Sequence, residues 1–173
     1  MDNTKIKIGI LGGSFDPAHK GHLAISKEAK KRFDLKKIIW AITKKNPFKI
    51  ESQTTISKRI KYCKEIIGLN SFIKVKFYEN IIKSNRTIDL IKHIKKNKKV
   101  EIYFLMGADN LINFHKWHKS KLISQKCNIL VFDRHGYKKN SLKSKTFKDL
   151  NKSTLKFIEF KKVNISSSQL RKI

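Results

Sequence analysis

Two histidines near the amino terminus stand three residues apart, shortly after a pair of glycines. Gly12 and Gly13 end an apolar run, and His19 and His22 flank the point where a new helix is predicted to begin. Glycines let the backbone approach a ligand closely, and residues three apart on a helix share a face. Because a helix amino terminus attracts anions through its free N–H groups and its dipole, this arrangement predicts a polyphosphate site.

Two other interpretations of the histidine pair have to be weighed. Metal binding is disfavoured because no nearby cysteine or third histidine completes a ligand set. Burial of the two imidazoles in the core is disfavoured because a glycine-rich turn is an unusual place for it. We therefore predict no metal site formed by protein side chains, and we favour phosphate binding.

A second candidate site lies at the other end of the chain. Ser167 and Ser168 lie between Ile165 and Arg171, and a short helix is predicted to follow the serines. Hydroxyl groups and backbone N–H groups at a helix start can hold phosphate oxygens, and Arg171 would add a planar, permanently charged fork. Taken alone, the same residues are better explained by an ordinary capped helix.

The elements that must position these residues alternate along the chain. Four continuous apolar runs predict buried parallel strands, and two weaker runs predict further strands. The four are 6–11, 38–42, 102–106 and 129–132, and the weaker two are 72–78 and 157–160. Apolar stripes at helical spacing fall within 22–33, 56–67 and 88–94. We predict a Rossmann-like, doubly wound parallel α/β sheet, which binds ligands beyond the carboxyl ends of its strands.

The length of 173 residues fits one domain spanning 1–173. The segment 138–152 is polar and rich in lysine and serine, so we expect it to be a mobile loop. Cys63 and Cys127 form no CxxC pair and lie in apolar surroundings, which predicts reduced core residues. No stretch approaches the ~18 apolar residues of a membrane span. We expect a soluble, cytoplasmic protein, and the sequence is compatible with a homo-oligomer.

The formal net charge is +28, with 41 Lys+Arg against 13 Asp+Glu. Such a surface attracts polyanions, so a basic nucleic-acid-binding module is one hypothesis. Arginine occurs only at 32, 59, 86, 134 and 171, so nearly all of the excess is lysine. No single helix concentrates this charge with interleaved aromatic residues. We therefore favour solvated lysine faces and do not expect nucleic acid as the partner.

The residues from Gly12 to Pro17, followed by His19, Gly21 and His22, resemble the HxGH signature of the nucleotidyltransferase superfamily. The segment Ile165 to Arg171 resembles its second signature, ISSTxIR, with Ser168 where threonine is usual. The two motifs lie in the expected order at opposite ends of the chain.

Four intervening segments are similar to those of the nicotinate-nucleotide adenylyltransferase family. They are Asn46 to Lys49 (the NPxK loop), Arg86 to Asp89 (a substrate-side turn), Met106 to Trp117 (GaDnLxxFxxW) and Arg134 to Tyr137 (RxGY). This resemblance implies transfer of the adenylyl group of ATP to nicotinate mononucleotide, with Mg²⁺ bound through the substrate phosphates. Phosphopantetheine adenylyltransferase, of similar length and with related signatures, is the enzyme alternative; the NPxK loop and the Phe114–Trp117 pair argue against it.

The resemblance also implies roles for individual residues. The expected catalytic residues are His19, His22 and Arg171. The expected ATP-binding residues are Gly13, Ser14, Phe15, Gly107, Asp109, Ser167 and Ser168. The expected binding residues for the second substrate are Lys49, Thr87, Trp117 and Arg134. Taken singly, Trp117 is better explained by core packing and Asp109 by a helix cap.

Overall fold

The computed structural model describes residues 3–45 and 54–159. Its strands are β1 (Ile6–Gly13), β2 (Lys37–Ile42), β3 (Ile73–Lys76), β4 (Val100–Gly107), β5 (Asn128–Phe132) and β6 (Leu155–Ile158). Its helices are α1 (Lys20–Phe33), α2 (Ile56–Ile67), α3 (Glu79–Ile82), α4 (Thr87–Ile94), α5 (Ala108–Asn113), α6 (Ser120–Lys126), α7 (Lys138–Lys143) and α8 (Lys145–Asp149). A 3-10 turn, Phe114–Lys116, follows α5.

The six strands form one parallel sheet in the order β3-β2-β1-β4-β5-β6. The strand order therefore reverses between β1 and β4, and a crevice opens at their carboxyl ends, where sheets of this kind bind ligands. Gly13 ends β1 and Gly107 ends β4. The prediction of a doubly wound, Rossmann-like sheet is confirmed, and the glycines of two predicted motifs lie at its switch point.

Helices cover both faces of the sheet, which explains why the four strong strand runs are continuous rather than alternating. One core joins the sheet to α4 and α6, through residues such as Ile91 and Ile123. The other joins it to α1 and α2, through Ala29 and Ile67. Cys63 and Cys127 are both buried and unbonded to each other, as predicted.

The segment 138–152 corrects one prediction. We expected a mobile loop there, but α7 and α8 occupy most of it. The Ser144 hydroxyl accepts from the Phe147 N–H at 3.1 Å and caps α8. Thr146 is buried, and its hydroxyl accepts from the His115 N–H at 3.0 Å. These hydroxyl groups are used as caps and tertiary partners, so a composition typical of loops forms packed helices instead.

The two weaker strand runs are strands, with shifted bounds. The run 72–78 is ordered as a strand only over Ile73–Lys76, and the last strand starts earlier than predicted, at Leu155. Within residues 3–45 and 54–159, no helix combines the length and the apolar content needed to cross a lipid bilayer.

Candidate active site

The side chains of two histidines cap the start of α1. His19 is the N-cap residue, and its Nδ1 accepts from the Gly21 N–H at 3.1 Å. In return, Nδ1 of His22 accepts from the His19 N–H at 3.1 Å. The two ring centroids lie 3.8 Å apart. The pair that we predicted to share a helix face therefore does meet, but through reciprocal capping, with His19 just outside the helix.

This capping fixes the chemistry of both rings. A backbone N–H can only donate, so each Nδ1 carries a lone pair, and the proton of each neutral imidazole is on Nε2. The amino terminus of α1 thus combines its helix dipole with two imidazole Nε2–H groups. His22 is half-buried, whereas His19 is buried, which corrects the expectation that neither ring is buried. Acidic residues are absent from the first turn of this helix. The local environment suits an anion with several oxygens, such as a polyphosphate.

An aromatic stack lies behind the histidines. The Phe15 ring packs 4.6 Å from that of His22 and stacks on Trp40 at 5.1 Å with an interplanar angle of 17°. Nε1 of Trp40 donates to the Ser26 hydroxyl at 2.9 Å, which in turn donates to the His22 carbonyl at 2.8 Å. Phe15 is only 1% exposed, at a φ of +50°. Its ring belongs to the core, so a contact with ATP would have to come from its backbone.

The glycines at the end of β1 are not required by the packing of the protein. A Cβ atom on Gly12 would have its nearest neighbour, in Phe104, at 3.6 Å. A Cβ atom on Gly13 would lie 3.5 Å from the Phe15 ring. These are ordinary van der Waals distances, and neither glycine has a positive φ. Packing therefore does not require glycine at either position, and both residues line a cavity in which a ligand could contact the strand end.

A buried arginine that the sequence analysis did not single out holds the turn after β1. Arg59 is 2% exposed, and Nη1 donates to the carbonyl oxygens of Ser14 at 2.9 Å and Thr43 at 2.8 Å. Nη2 donates to the Lys44 carbonyl at 3.2 Å, and Nε donates to the Thr54 carbonyl at 3.1 Å. One side chain thus fastens the turn after β1 to the segments that follow β2 and precede α2.

Two carboxylates balance this buried charge. Burial lowers the pKa of the Arg59 guanidinium, and the charges of Asp16 and Glu79 act in the opposite direction. Glu79 also accepts from the Thr43 hydroxyl at 2.5 Å and from the Lys44 N–H at 3.2 Å. One signal could have revealed Arg59, since it lies three residues after Ile56 and therefore falls within the apolar stripe of α2.

A second group of predicted residues gathers at the ends of β4 and β5. Nη1 of Arg134 donates to Oδ2 of Asp109 at 2.8 Å, and both side chains are largely buried. Oδ1 of Asp109 is buried and has no hydrogen-bond partner among the described residues. A Cβ atom on Gly107 would lie 2.6 Å from that oxygen, so only glycine lets the carboxylate occupy this position.

A cavity of about 200 Å³, far larger than a single water needs, opens at the end of β1. Its wall includes Gly12, Gly13, Thr43, Tyr78, Glu79, Arg86, Thr87, Phe104, Trp117 and His118. The cavity brings together three predicted site residues from distant parts of the chain, Gly13, Thr87 and Trp117. His19, His22, Asp109 and Arg134 do not line it.

Trp117 combines both roles that the sequence allowed. Its ring meets Phe104 edge-on at 6.0 Å and packs against Phe114 at 5.1 Å, so it is part of the core. It is nevertheless only half-buried and forms part of the cavity wall. An aromatic ring fixed by core contacts and open on one side is suited to stacking on a flat ligand.

Four predicted site residues, Lys49, Ser167, Ser168 and Arg171, lie outside the described residues. Over residues 3–45 and 54–159, no group of three or more His, Cys, Asp or Glu side chains could hold a metal ion.

Comparison with known proteins extends these observations. Residues 10–173 match the model of the cytidylyltransferase-like family. A protein of Pelagibacter ubique (strain HTCC1062) named "Probable nicotinate-nucleotide adenylyltransferase" is 68% identical over 173 residues, which is 100% of this chain and 96% of that protein. A Clostridium botulinum (strain Eklund 17B / Type B) protein of the same name is 35% identical over 170 residues, covering 96% of this chain and 84% of its own length.

The fold is shared with solved structures. Nicotinic acid mononucleotide adenylyltransferase of Plasmodium falciparum, complexed with NaAD, superposes with a TM-score of 0.76 at 23% identity. That match covers 96% of this chain and 82% of the other. The Pelagibacter ubique relative, 68% identical over the whole chain, shows the family in addition to the fold. Within the cytidylyltransferase-like proteins, this chain belongs to the nicotinate-nucleotide adenylyltransferase family.

Proposed function

We propose that this enzyme transfers the adenylyl group of ATP to nicotinate mononucleotide, giving nicotinate adenine dinucleotide and pyrophosphate, as a step of NAD biosynthesis. The observation that carries the proposal is the position of Gly13. It leads into the histidine-capped anion site at α1 and also lines the cavity that contains Thr87 and Trp117. Two ligands, one in each place, would meet at the end of β1.

The ATP side is formed by the first of these places. The phosphates would lie at the amino terminus of α1, where the Nε2–H groups of His19 and His22 donate to their oxygens. The ribose would approach Asp109, whose Oδ1 lacks a partner among the described residues and could accept from a hydroxyl group. Arg134, which pairs with the other oxygen of this carboxylate, would act from the same side.

The mononucleotide side is the cavity. The pyridine ring would stack on the exposed face of Trp117, with Thr87 beside it. From the sequence, Lys49 is the candidate for the phosphate of the mononucleotide, and Ser167, Ser168 and Arg171 are the candidates for the β- and γ-phosphates of ATP.

The reaction needs no nucleophilic side chain. A phosphate oxygen of the mononucleotide, already ionised at neutral pH, attacks the α-phosphorus of ATP in line with the bond to the β-phosphate. A new P–O bond forms as that bond breaks, and pyrophosphate departs with its electron pair, without a covalent enzyme intermediate. The protein has to align two polyanions and stabilise the charge that develops on the leaving group. Donors such as His19 and His22 provide this stabilisation.

Mg²⁺ is the expected cofactor. The donor set among the described residues favours coordination by substrate phosphates and water over a site built from protein ligands. When bound, the ion would reduce the repulsion between the two substrates and the charge on departing pyrophosphate. We expect EDTA to abolish turnover and added Mg²⁺ to restore it.

The direct test offers the purified protein ATP together with nicotinate mononucleotide, nicotinamide mononucleotide or phosphopantetheine, and measures pyrophosphate release and the adenylylated product. We expect nicotinate adenine dinucleotide to form with the first compound. Turnover only with phosphopantetheine would replace the proposal by the alternative enzyme. Salt-sensitive binding to DNA or RNA without any turnover of ATP would favour the nucleic-acid-binding module.

A further inference from the structure

Two nitrogen-bearing side chains, those of Arg86 and His118, lie at the wall of the cavity beside the proposed pyridine site. Nη1 of Arg86, the residue before α4, lies 3.4 Å from Nε2 of His118, and both residues line the cavity. They are sequence neighbours of Thr87 and Trp117 respectively, the two residues placed against the pyridine ring. All four residues line the same cavity, so Arg86 and His118 are within the site where a substituent on that ring would lie.

The contact between the two side chains defines what they can offer. A guanidinium group has no acceptor, so in this contact Arg86 donates and Nε2 of His118 accepts. This leaves further N–H groups of Arg86 for a ligand, while the histidine restricts the orientation of the guanidinium. The backbone is held as well, because the Arg86 N–H donates to the Ser84 hydroxyl at 3.1 Å, and that hydroxyl donates to Asp89 at 2.6 Å.

The carboxylate in the same wall is already engaged. Glu79 accepts from the Thr43 hydroxyl and the Lys44 N–H, and its charge acts on Arg59. Among the described lining residues, Arg86 is the one with a permanently charged side chain that is exposed at the cavity. A guanidinium matches a carboxylate in both charge and geometry, whereas an uncharged amide gains much less from it.

We propose that Arg86, oriented by His118, binds the carboxylate of the pyridine ring and makes the enzyme select nicotinate mononucleotide over nicotinamide mononucleotide. Arg86 is then a specificity-determining residue and His118 a positioning residue. The inference rests on the proposed function, because it concerns the same cavity and the same second substrate.

The test compares kcat and KM for both mononucleotides in the native enzyme and in Arg86→Gln, His118→Ala and His118→Gln. Arg86→Gln should lower kcat/KM for the nicotinate compound about tenfold or more, mainly through KM, and change that for the nicotinamide compound less than about twofold. The KM for ATP should not change. His118→Ala should raise KM for the nicotinate compound a few-fold, whereas His118→Gln, which keeps an acceptor near Nε2, should stay close to the native value.

Lys92→Gln provides the control, since Lys92 is an exposed cation on α4 that does not line the cavity. It should leave the ratio of the two kcat/KM values unchanged. If Arg86→Gln lowers kcat/KM equally for both mononucleotides, so that the ratio of the two values is unchanged, the assignment is overturned while the proposed function stands. Native enzyme that adenylylates neither mononucleotide would overturn the proposed function, and this inference with it.

Discussion

Nη1 of Arg59 lies 2.9 Å from the carbonyl oxygen of Ser14, across forty-five positions of sequence. The same nitrogen lies 2.8 Å from the carbonyl oxygen of Thr43, after β2. A single buried guanidinium therefore sets the distance between the turn that leads to the histidines and the segment that borders the cavity. Its effect on catalysis would be exerted through backbone position, not through contact with the substrates.

Replacement of Arg59 by lysine tests this role. Lysine keeps the charge but cannot reach several carbonyl groups at once, so the free energy of unfolding should fall by about 1–3 kcal/mol. Turnover should fall about tenfold, because small displacements of positioned groups are costly in catalysis. Urea titration and steady-state kinetics measure the two effects.

The control is Arg32→Lys, which changes the exposed pair of Arg32 with Glu28 on α1. It should alter stability by less than about 0.5 kcal/mol and leave kcat unchanged. If Arg59→Lys loses stability but keeps the native kcat, Arg59 holds the fold without positioning the site.

Replacement of His22 separates capping from phosphate binding. Asparagine can place an acceptor near the position of Nδ1 and keep the hydrogen bond from the His19 N–H, but it has no group at Nε2. We expect the free energy of unfolding of His22→Asn to lie within about 1 kcal/mol of the native value. Its kcat should be about 10²-fold lower. His22→Ala should lose both the cap and the turnover. Near-native turnover in either variant would remove the role of His22 in the reaction.

Gly107→Ala should disturb the pair of Asp109 with Arg134. The added Cβ would lie 2.6 Å from Oδ1 of Asp109, so the carboxylate must move. We expect the KM for ATP to rise about tenfold, the scale of one hydrogen bond to a charged group, while the KM for the mononucleotide changes little. Gly136→Ala is not a suitable control for this variant, because Gly136 has a positive φ of 83° and alanine would be strained there. An unchanged KM for ATP in the Asp109→Asn variant would contradict a role for this carboxylate in ribose binding.

Trp117→Ala should weaken the binding of the mononucleotide more than the binding of ATP. Loss of one stacking face corresponds to roughly 1 kcal/mol, so the KM for the mononucleotide should rise at least about fivefold. Trp117→Phe keeps an aromatic face and the contacts to Phe104 and Phe114 in part, and should recover much of the affinity. Equal changes of KM for both substrates in Trp117→Ala would remove the stacking proposal.

The two cysteines give a pH-dependent prediction. Burial raises the pKa of Cys63 and of Cys127 to about 12, from an ordinary value of 9.0. Below pH 9 the thiols are neutral in both the folded and the unfolded chain, whereas between pH 9 and about 12 only the unfolded chain ionises them. Stability should therefore fall as pH rises through this range, and less steeply in Cys63→Ala/Cys127→Ala. At pH 8, iodoacetamide should label the thiols only after unfolding; rapid labelling of native protein would contradict their burial.

The sequence was sufficient to predict the sheet because parallel strands buried on both faces leave continuous apolar runs, and helices leave stripes between them. It failed at 138–152, where Ser144 and Thr146 suggested a loop by composition but serve as a cap and a tertiary partner. Such uses depend on where distant backbone groups arrive, and short-range patterns do not contain that information.

The same limit explains why Arg59 was missed. Its partners are backbone carbonyl groups, and any residue type supplies a carbonyl, so no motif marks them. A compositional signal did exist. In a chain whose 41 basic residues include only five arginines, Arg59, Arg86 and Arg134 all lie at the candidate site, and Arg32 forms a surface pair. Where lysine satisfies nearly every need for charge, arginine indicates a need for the planar fork.

Gly12 and Gly13 end β1 with room for a methyl group at either position and with ordinary backbone angles. Folding alone would tolerate alanine there, and a ligand pressed against the strand end would not. Loss of function at these two positions should therefore be invisible to measurements of expression, solubility or melting temperature. A cell carrying such a variant would contain the normal amount of folded enzyme that no longer binds its substrate. Quality control based on unfolding does not detect such a defect.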